Sequence, residues 1–254
     1  MKVAAYQAPL LEPASKDAFE AIRAAITESE AQQVDILCCP EAILGGLADD
    51  ARDPRAHAIE ASALIDVLAP LASDRVTTIV GFTEQAVGGA LYNAAAVLHR
   101  GSIAGTYRKR HPAINRSVYT AGTDTPVFTI DGLMFGIIIC NDSNHPEPIR
   151  SVAARGARVL FVPSNNGLPP EKSYPELVAD TRRLDQAIAS KHHMWVVRAD
   201  VAGSCAGLVS DGSSAIVDPD GRIVAVARPG THDLLIAEIT LPGDAPSRTP
   251  SRAR

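Results

Sequence analysis

Apolar residues along this chain fall into two rhythms that alternate almost to its end. Short apolar or β-branched runs predict strands, and stretches whose apolar positions return every three or four residues predict helices. Val3 to Gln7 reads as a first strand. Lys16 to Gln32 follows as a helix, with Phe19, Ile22, Ala25 and Ile26 on one face. Val34 to Cys39 is a buried strand stopped by Pro40. A helix is expected from about Arg55 to Leu71 on Ile59, Leu64, Ile65 and Leu68, with Pro70 opposing its last turn. Thr77 to Phe82 is β-branched and reads as a strand.

Two antiparallel hairpins come next. Tyr92–Leu98 and Ser102–Tyr107 turn at His99-Arg100-Gly101, and Val127–Ile130 and Leu133–Ile139 turn at Asp131-Gly132. A short helix at Pro148–Arg155, a strand at Val159–Val162 and a longer helix at Tyr174–Lys191 follow. Strands are expected near Trp195–Ala199, Ser213–Val217, Arg222–Ala227 and Asp233–Ile239, two of them joined by Asp218-Pro219-Asp220-Gly221. This order predicts an α/β fold, a mixed sheet with helices on its outer faces. Residues 1–241 form one domain, and 242–254, rich in Pro, Ser and Arg, read as a tail that is disordered or reaches a partner subunit.

Composition narrows the function. With 254 residues, 46% hydrophobic and 21% charged, the chain can bury a large core. Its net charge of -5 gives no electrostatic case for nucleic acid. No apolar run approaches the roughly 20 residues of a membrane helix, so no membrane partner is expected. The opening Met1-Lys2-Val3-Ala4-Ala5-Tyr6-Gln7 turns polar too soon for a signal peptide. Four cysteines, two of them adjacent, do not resemble a disulfide framework, which points to a reducing cytoplasm. Cys-x-x-Cys pairs and tight His/Cys clusters are missing, so no metal is expected.

Three strand ends carry potent side chains. Cys140 closes the apolar Phe135-Gly136-Ile137-Ile138-Ile139, where α/β folds gather their active sites. Glu41 leaves the sheet directly after Pro40, and a carboxylate on a sheet rim suits a general base. Lys109 sits in Arg108-Lys109-Arg110-His111; if the strand continues, its side chain faces opposite to those of its arginine neighbours. Each residue also has a plain structural reading, as core thiol, loop acid or solvated cation. Cys38 and Cys39 read as core, and Cys205 lies in a Gly/Ser-rich loop. Asp142 reads as a cap or an arginine partner, Glu147 as a helix N-terminal acid, and His111 and His145 as loop residues, not bases.

The ordered strings Cys39-Pro40-Glu41, Tyr107-Arg108-Lys109-Arg110-His111 and Gly136-Ile137-Ile138-Ile139-Cys140-Asn141-Asp142 resemble the nitrilase superfamily of carbon–nitrogen hydrolases. Further matching pieces are Ala5-Tyr6-Gln7, Gly81-Phe82-Thr83-Glu84, Leu91 to Val97, His145-Pro146-Glu147 and Gly212-Ser213-Ser214. The resemblance implies a four-layer αββα sandwich that pairs into a homodimer or higher homo-oligomer. It also implies Glu41, Lys109 and Cys140 as catalytic trio, with no cofactor. The implied reaction is hydrolysis of a small amide-like substrate through a Cys thioester. Nitriles or N-carbamoyl compounds, acyl transfer to an amine, and a catalytically weakened binding protein stay open as alternatives.

Two positions depart from the family pattern. Asn115 occupies the place where a second glutamate commonly precedes Arg-x-x-aromatic, and Asn141 stands where an aromatic residue often follows the nucleophile. Asn115 would orient Lys109 without adding charge. The Asn141 N–H would serve the oxyanion, and the paired amides Asn165 and Asn166 are candidates for binding a polar substrate or for a plain turn.

Overall fold

A computed structural model describes residues 1–47, 54–113, 118–173 and 176–240. β1 (Lys2–Pro9) shows why its signal is a run and not an alternation. Val3 and Ala5 face a core shared by two sheets, while Ala4, Tyr6 and Ala8 face a second core under a helix. A strand covered on both faces has to be apolar at nearly every position.

The chain continues through α1 (Asp17–Ala31), β2 (Ile36–Cys38), β3 (Ile59–Glu60), α2 (Leu64–Leu68), β4 (Thr77–Gln85), β5 (Leu91–His99) and β6 (Ser102–Arg108). Then come β7 (Val127–Ile130), β8 (Leu133–Ile137), α3 (Pro146–Ala154), β9 (Val159–Pro163), α4 (Leu177–His192) and β10 (Trp195–Ala199). The last strands are β11 (Val201–Cys205), β12 (Leu208–Ser210), β13 (Ala215–Val217), β14 (Ile223–Val226) and β15 (Asp233–Glu238). The first sheet runs β12-β11-β1-β2-β4-β5-β6, with β15 also on β1 and β3 on the end of β4. The second runs β14-β13-β10-β9-β8-β7. Both are mixed, since β1, β2 and β4 are parallel and β4, β5 and β6 antiparallel, while parallel β8, β9 and β10 are flanked by antiparallel β7 and β13.

The sheets face each other across Ile36, Ile79, Val97 and Tyr107 on one side and Ile137, Phe161, Val197 and Ile216 on the other. Ile22 and Ile26 of α1, with Leu64 and Leu68 of α2, cover the outside of the first sheet. Ile149 and Val152 of α3, with Ile188 and Ala189 of α4, cover the second. The layers are therefore helix, sheet, sheet, helix, as the resemblance implied. Each fully buried Ile or Phe contributes about 1.5–3 kcal/mol. Gly136 lets α3 approach β8, because a Cβ there would stand 2.6 Å from Val152 Cγ1.

The sequence reading needs correction in two regions. The expected helix from Arg55 to Leu71 is broken into a 3-10 turn at Pro54–His57, the strand β3, the short α2 and a second 3-10 turn at Ala69–Leu71. Ile59 and Glu60 pair with Glu84 and Gln85 of β4, a distant contact that overrides the helical spacing. Cys205 ends a strand, β11, and is not in a loop; Gly203 pairs with Ser210 and Cys205 with Leu208. Small residues hid this hairpin, since Gly and Ser lack the β-branched signature. The remaining differences are shifts of element ends: β8 stops at Ile137 and α3 starts at Pro146. Positions 174 and 175 of the fourth helix reading, and the 242–254 tail, lie outside the described residues. Among the described residues no helix is long and apolar enough to cross a membrane.

Candidate active site

The strands that carry Glu41, Lys109 and Cys140 end at one rim of the sandwich. There the segment after β2 meets the segment after β9, and the Glu41 N–H donates to the Ser164 carbonyl at 3.2 Å. Gly81 makes room for this segment, because a Cβ on it would lie 2.2 Å from the Pro40 carbonyl oxygen and 2.6 Å from the Ala42 nitrogen. Glu41 and Lys109 are almost fully buried, with side chains 1% and 4% exposed, and Lys109 Nζ donates to Glu41 Oε1 at 2.6 Å. Asn93 Nδ2 donates to the same oxygen at 2.7 Å, and the Asn165 N–H donates to Oε2 at 3.0 Å. A buried carboxylate needs such donors to offset its lost hydration. Here one comes from β5 and one from the loop after β9.

Cys140 begins a single 3-10 turn, Cys140–Asn144, directly behind β8. Its φ of +45° is unusual for a residue with a Cβ and costs of order 1–2 kcal/mol. Asp142 holds the turn in place: its carboxylate accepts from the Ile139 N–H at 3.0 Å, the His111 N–H at 2.8 Å and the Tyr107 hydroxyl at 2.7 Å. Asp142 is thus structural, as expected, and it ties the cysteine turn to the lysine segment. The Cys140 side chain is half-buried, and Asn166 Oδ1 lies 3.9 Å from its sulfur.

The three groups act on one another electrostatically. Burial first, then the Glu41 carboxylate, pushes the Cys140 thiol up to about 12, against opposing pulls from Lys109 and Arg198. At neutral pH the resting sulfur therefore carries its proton. Burial alone would lower the Lys109 ammonium, but Glu41 and then Cys140 raise it above the ordinary lysine value, so it stays charged.

The other candidates divide. The Asn141 amide is engaged locally, donating to the His111 carbonyl at 3.1 Å and accepting from Asn144 at 3.0 Å. Asn165 serves Glu41 through its backbone, while its side-chain oxygen accepts from the Gly167 N–H in a tight turn. Asn166 reaches the sulfur. Asn115 lies outside the described residues. Glu147 stands in the first turn of α3 and pairs with Arg110 at 2.8 Å, and His111 stacks on His145 with ring centroids 3.7 Å apart. Cys38 and Cys39 are core. Among the described residues no group of three or more His, Cys, Asp or Glu is placed to hold a metal ion.

Sequence reasoning missed Asn93, Asp200 and Arg198. Each is a polar residue in or beside an otherwise apolar strand, and a polar group in a doubly covered strand must find a partner. Arg198 is fully buried and bonds Asp185 at 2.6 and 2.7 Å, Ser164 at 2.5 Å and Ser143 at 3.0 Å. It thereby joins the turn behind Cys140 to the loop that holds Glu41.

Known proteins share this chain's sequence pattern and its fold. The model of the carbon–nitrogen hydrolase family matches residues 2–245. A hydrolase encoded in the pqqF 5' region of Pseudomonas protegens is 30% identical over 93% of this chain and 81% of its own length. A nitrilase of Pyrococcus abyssi is 28% identical over 85% and 80%. Among solved structures, a mutant of the amidase from Nesterenkonia sp. AN1 superposes with a TM-score of 0.80 at 21% identity, covering 94% of this chain and 90% of that one. Its active-site cysteine carries the acetamide moiety of fluoroacetamide.

Proposed function

The chain belongs to the carbon–nitrogen hydrolase family, within the nitrilase superfamily, and from that premise we propose that it hydrolyses a small carboxamide through a thioester on Cys140. The observation that carries this reading is the buried 2.6 Å contact of Lys109 with Glu41, both electrostatically coupled to a half-buried thiol on a strand end. The covalent acetamide on the cysteine of the Nesterenkonia amidase supports the same role for Cys140.

In this mechanism the Cys140 sulfur bonds to the amide carbon while its proton passes to Glu41. Among the described residues Oε1 of Glu41 takes two donors and Oε2 one, so Oε2 keeps room for that proton. The carbonyl π electrons move to oxygen, where the Lys109 ammonium and the Asn141 N–H hold the charge. Asn141 is suited to this because the first N–H groups of a helical turn have no partner within it. When the tetrahedral adduct collapses, the carbon–nitrogen bond breaks, and Glu41 returns its proton to the departing ammonia or amine. Water then attacks the thioester, giving a proton to Glu41; the thiol leaves with that proton and the acid is released. Because the resting thiol is neutral, the proton transfer to Glu41 is what makes the sulfur reactive.

Ammonia release from panels of short amides, nitriles and N-carbamoyl compounds, with intact mass of the protein during turnover, tests the reading. Expected are turnover of primary amides and an acyl adduct on Cys140. Activity that survives in Cys140→Ser, or turnover confined to nitriles, ends it.

A further inference from the structure

Asn166 is a side chain with its two ends held apart. Its Nδ2 donates to Asp200 Oδ2 at 2.8 Å and to Ser213 Oγ at 3.2 Å, and its backbone N–H donates to Asp200 Oδ1 at 2.9 Å. A carboxylate only accepts, so the amide has one possible orientation: nitrogen toward Asp200, oxygen toward Cys140. Asp200 is itself fixed. It is fully buried, and it accepts from the Ser213 N–H at 2.9 Å, the Ser213 hydroxyl at 2.6 Å and the Val201 N–H at 2.9 Å. The consequence is a hydrogen-bond acceptor, Oδ1, locked 3.9 Å from the nucleophilic sulfur.

An acceptor in that place selects for a donor. A reacting carbon approaches its nucleophile to about 3–3.5 Å, and the amide nitrogen is one bond away from that carbon. The nitrogen can thus come within hydrogen-bond reach of Asn166 Oδ1. We infer that Asn166 accepts the N–H of the scissile amide, with Asp200 and Ser213 as positioning residues, and that it sets a preference for substrates with N–H on the leaving group. The inference rests on the thioester reading above and adds the residue that reads the leaving group. In the resting site the thiol hydrogen lies against this oxygen. A bound amide N–H takes its place and leaves the thiol hydrogen free to turn toward Glu41. A nitrile or an ester has no such hydrogen, and it leaves a buried acceptor unpaired.

The test compares butyramide with p-nitrophenyl butyrate, which carry the same acyl group but only one of which has N–H. In Asn166→Ala, the ratio of kcat/KM for butyramide to that for the ester is expected to fall about ten- to a hundred-fold. The amide-to-ester ratio is insensitive to how much of the variant is folded, so a purely structural role lowers both rates and leaves the ratio unmoved. Ser213→Ala, which loosens the orientation but keeps the oxygen, shifts the ratio the same way by less. An unchanged ratio in both variants overturns the assignment of Asn166 while leaving the thioester reading intact. Hydrolysis of both substrates by Cys140→Ser at the wild-type rate, or no ammonia from any short amide with wild type, overturns the thioester reading and the assignment with it.

Discussion

Two buried ion pairs lie at this rim, with the same 2.6 Å closest contact and opposite character. Arg198 and Asp185 form a closed set: two guanidinium–carboxylate bonds, with the remaining reach of the guanidinium spent on Ser143 and Ser164. Lys109 and Glu41 form an open one. Among the described residues the Lys109 ammonium donates a single side-chain hydrogen bond, and both partners act electrostatically on the thiol of half-buried Cys140. Taking charges out of water costs several kcal/mol per ion, and that cost is offset only by complete bonding. The closed pair comes near this condition, with four of the five guanidinium N–H groups bonded, and acts as a brace. The open pair leaves capacity unused, and it acts electrostatically on Cys140, the residue to which we assign the nucleophilic role. In the mechanism proposed here, incomplete bonding separates the working pair from the bracing one, where burial and distance do not.

The contrast can be broken most sharply at the open pair. Lys109→Met is expected to lower kcat on a primary amide by about 10²- to 10³-fold, as removal of an oxyanion stabiliser does. Its protein should lose stability but remain folded, since Asn93 and the Asn165 N–H still donate to Glu41. Steady-state ammonia release together with circular dichroism reads both quantities. Activity within ten-fold of wild type would show that the pair is only a brace.

The converse change is Arg198→Met, which strands Asp185 in the core. A loss of about 3–5 kcal/mol is expected in urea unfolding, because one partner of a buried pair has been removed. Any activity lost should track the folded fraction together with a looser hold on Ser143 and Ser164. A variant as stable as wild type would remove the bracing role.

The smallest effect is a pH dependence. The folded Cys140 pKa, about 12, lies above its ordinary value of 9.0, so the folded state holds this proton more tightly than the unfolded chain. Its contribution to stability is then complete below about pH 9 and fades as pH rises toward 12. Urea unfolding of wild type against Cys140→Ala should show the difference between them shift against wild type as pH climbs from 9 to 10.5. A constant difference across that range would mean that the thiol is not shifted.

Much of this was legible because the pattern is local. The apolar run that ends at Pro40 announced where Glu41 leaves its sheet, and Phe135 to Ile139 announced Cys140. The two-sided burial of β1, β4 and β10 kept their strand signals continuous. What failed locally were places where distant pairing decides. Ile59 and Glu60 look helical until β4 offers them a partner, and Ala202-Gly203-Ser204-Cys205 looks like a loop until β12 folds back on it. Asn93, Asp200 and Arg198 were visible as polar interruptions, yet nothing beside them in sequence names their partners.

From its sequence alone this chain determined the alternation of strands and helices, the family, and which three side chains stand at strand ends. Those properties follow from side-chain type and spacing along neighbouring residues. Tertiary structure alone decided that Lys109 meets Glu41 across 68 positions, that the Asn165 N–H reaches Glu41 across 124, and that Cys140 turns through a positive φ. It also decided which way the Asn166 amide points. The direction of a hydrogen bond depends on the partner that folding delivers, and no local pattern of apolar and polar residues encodes that partner.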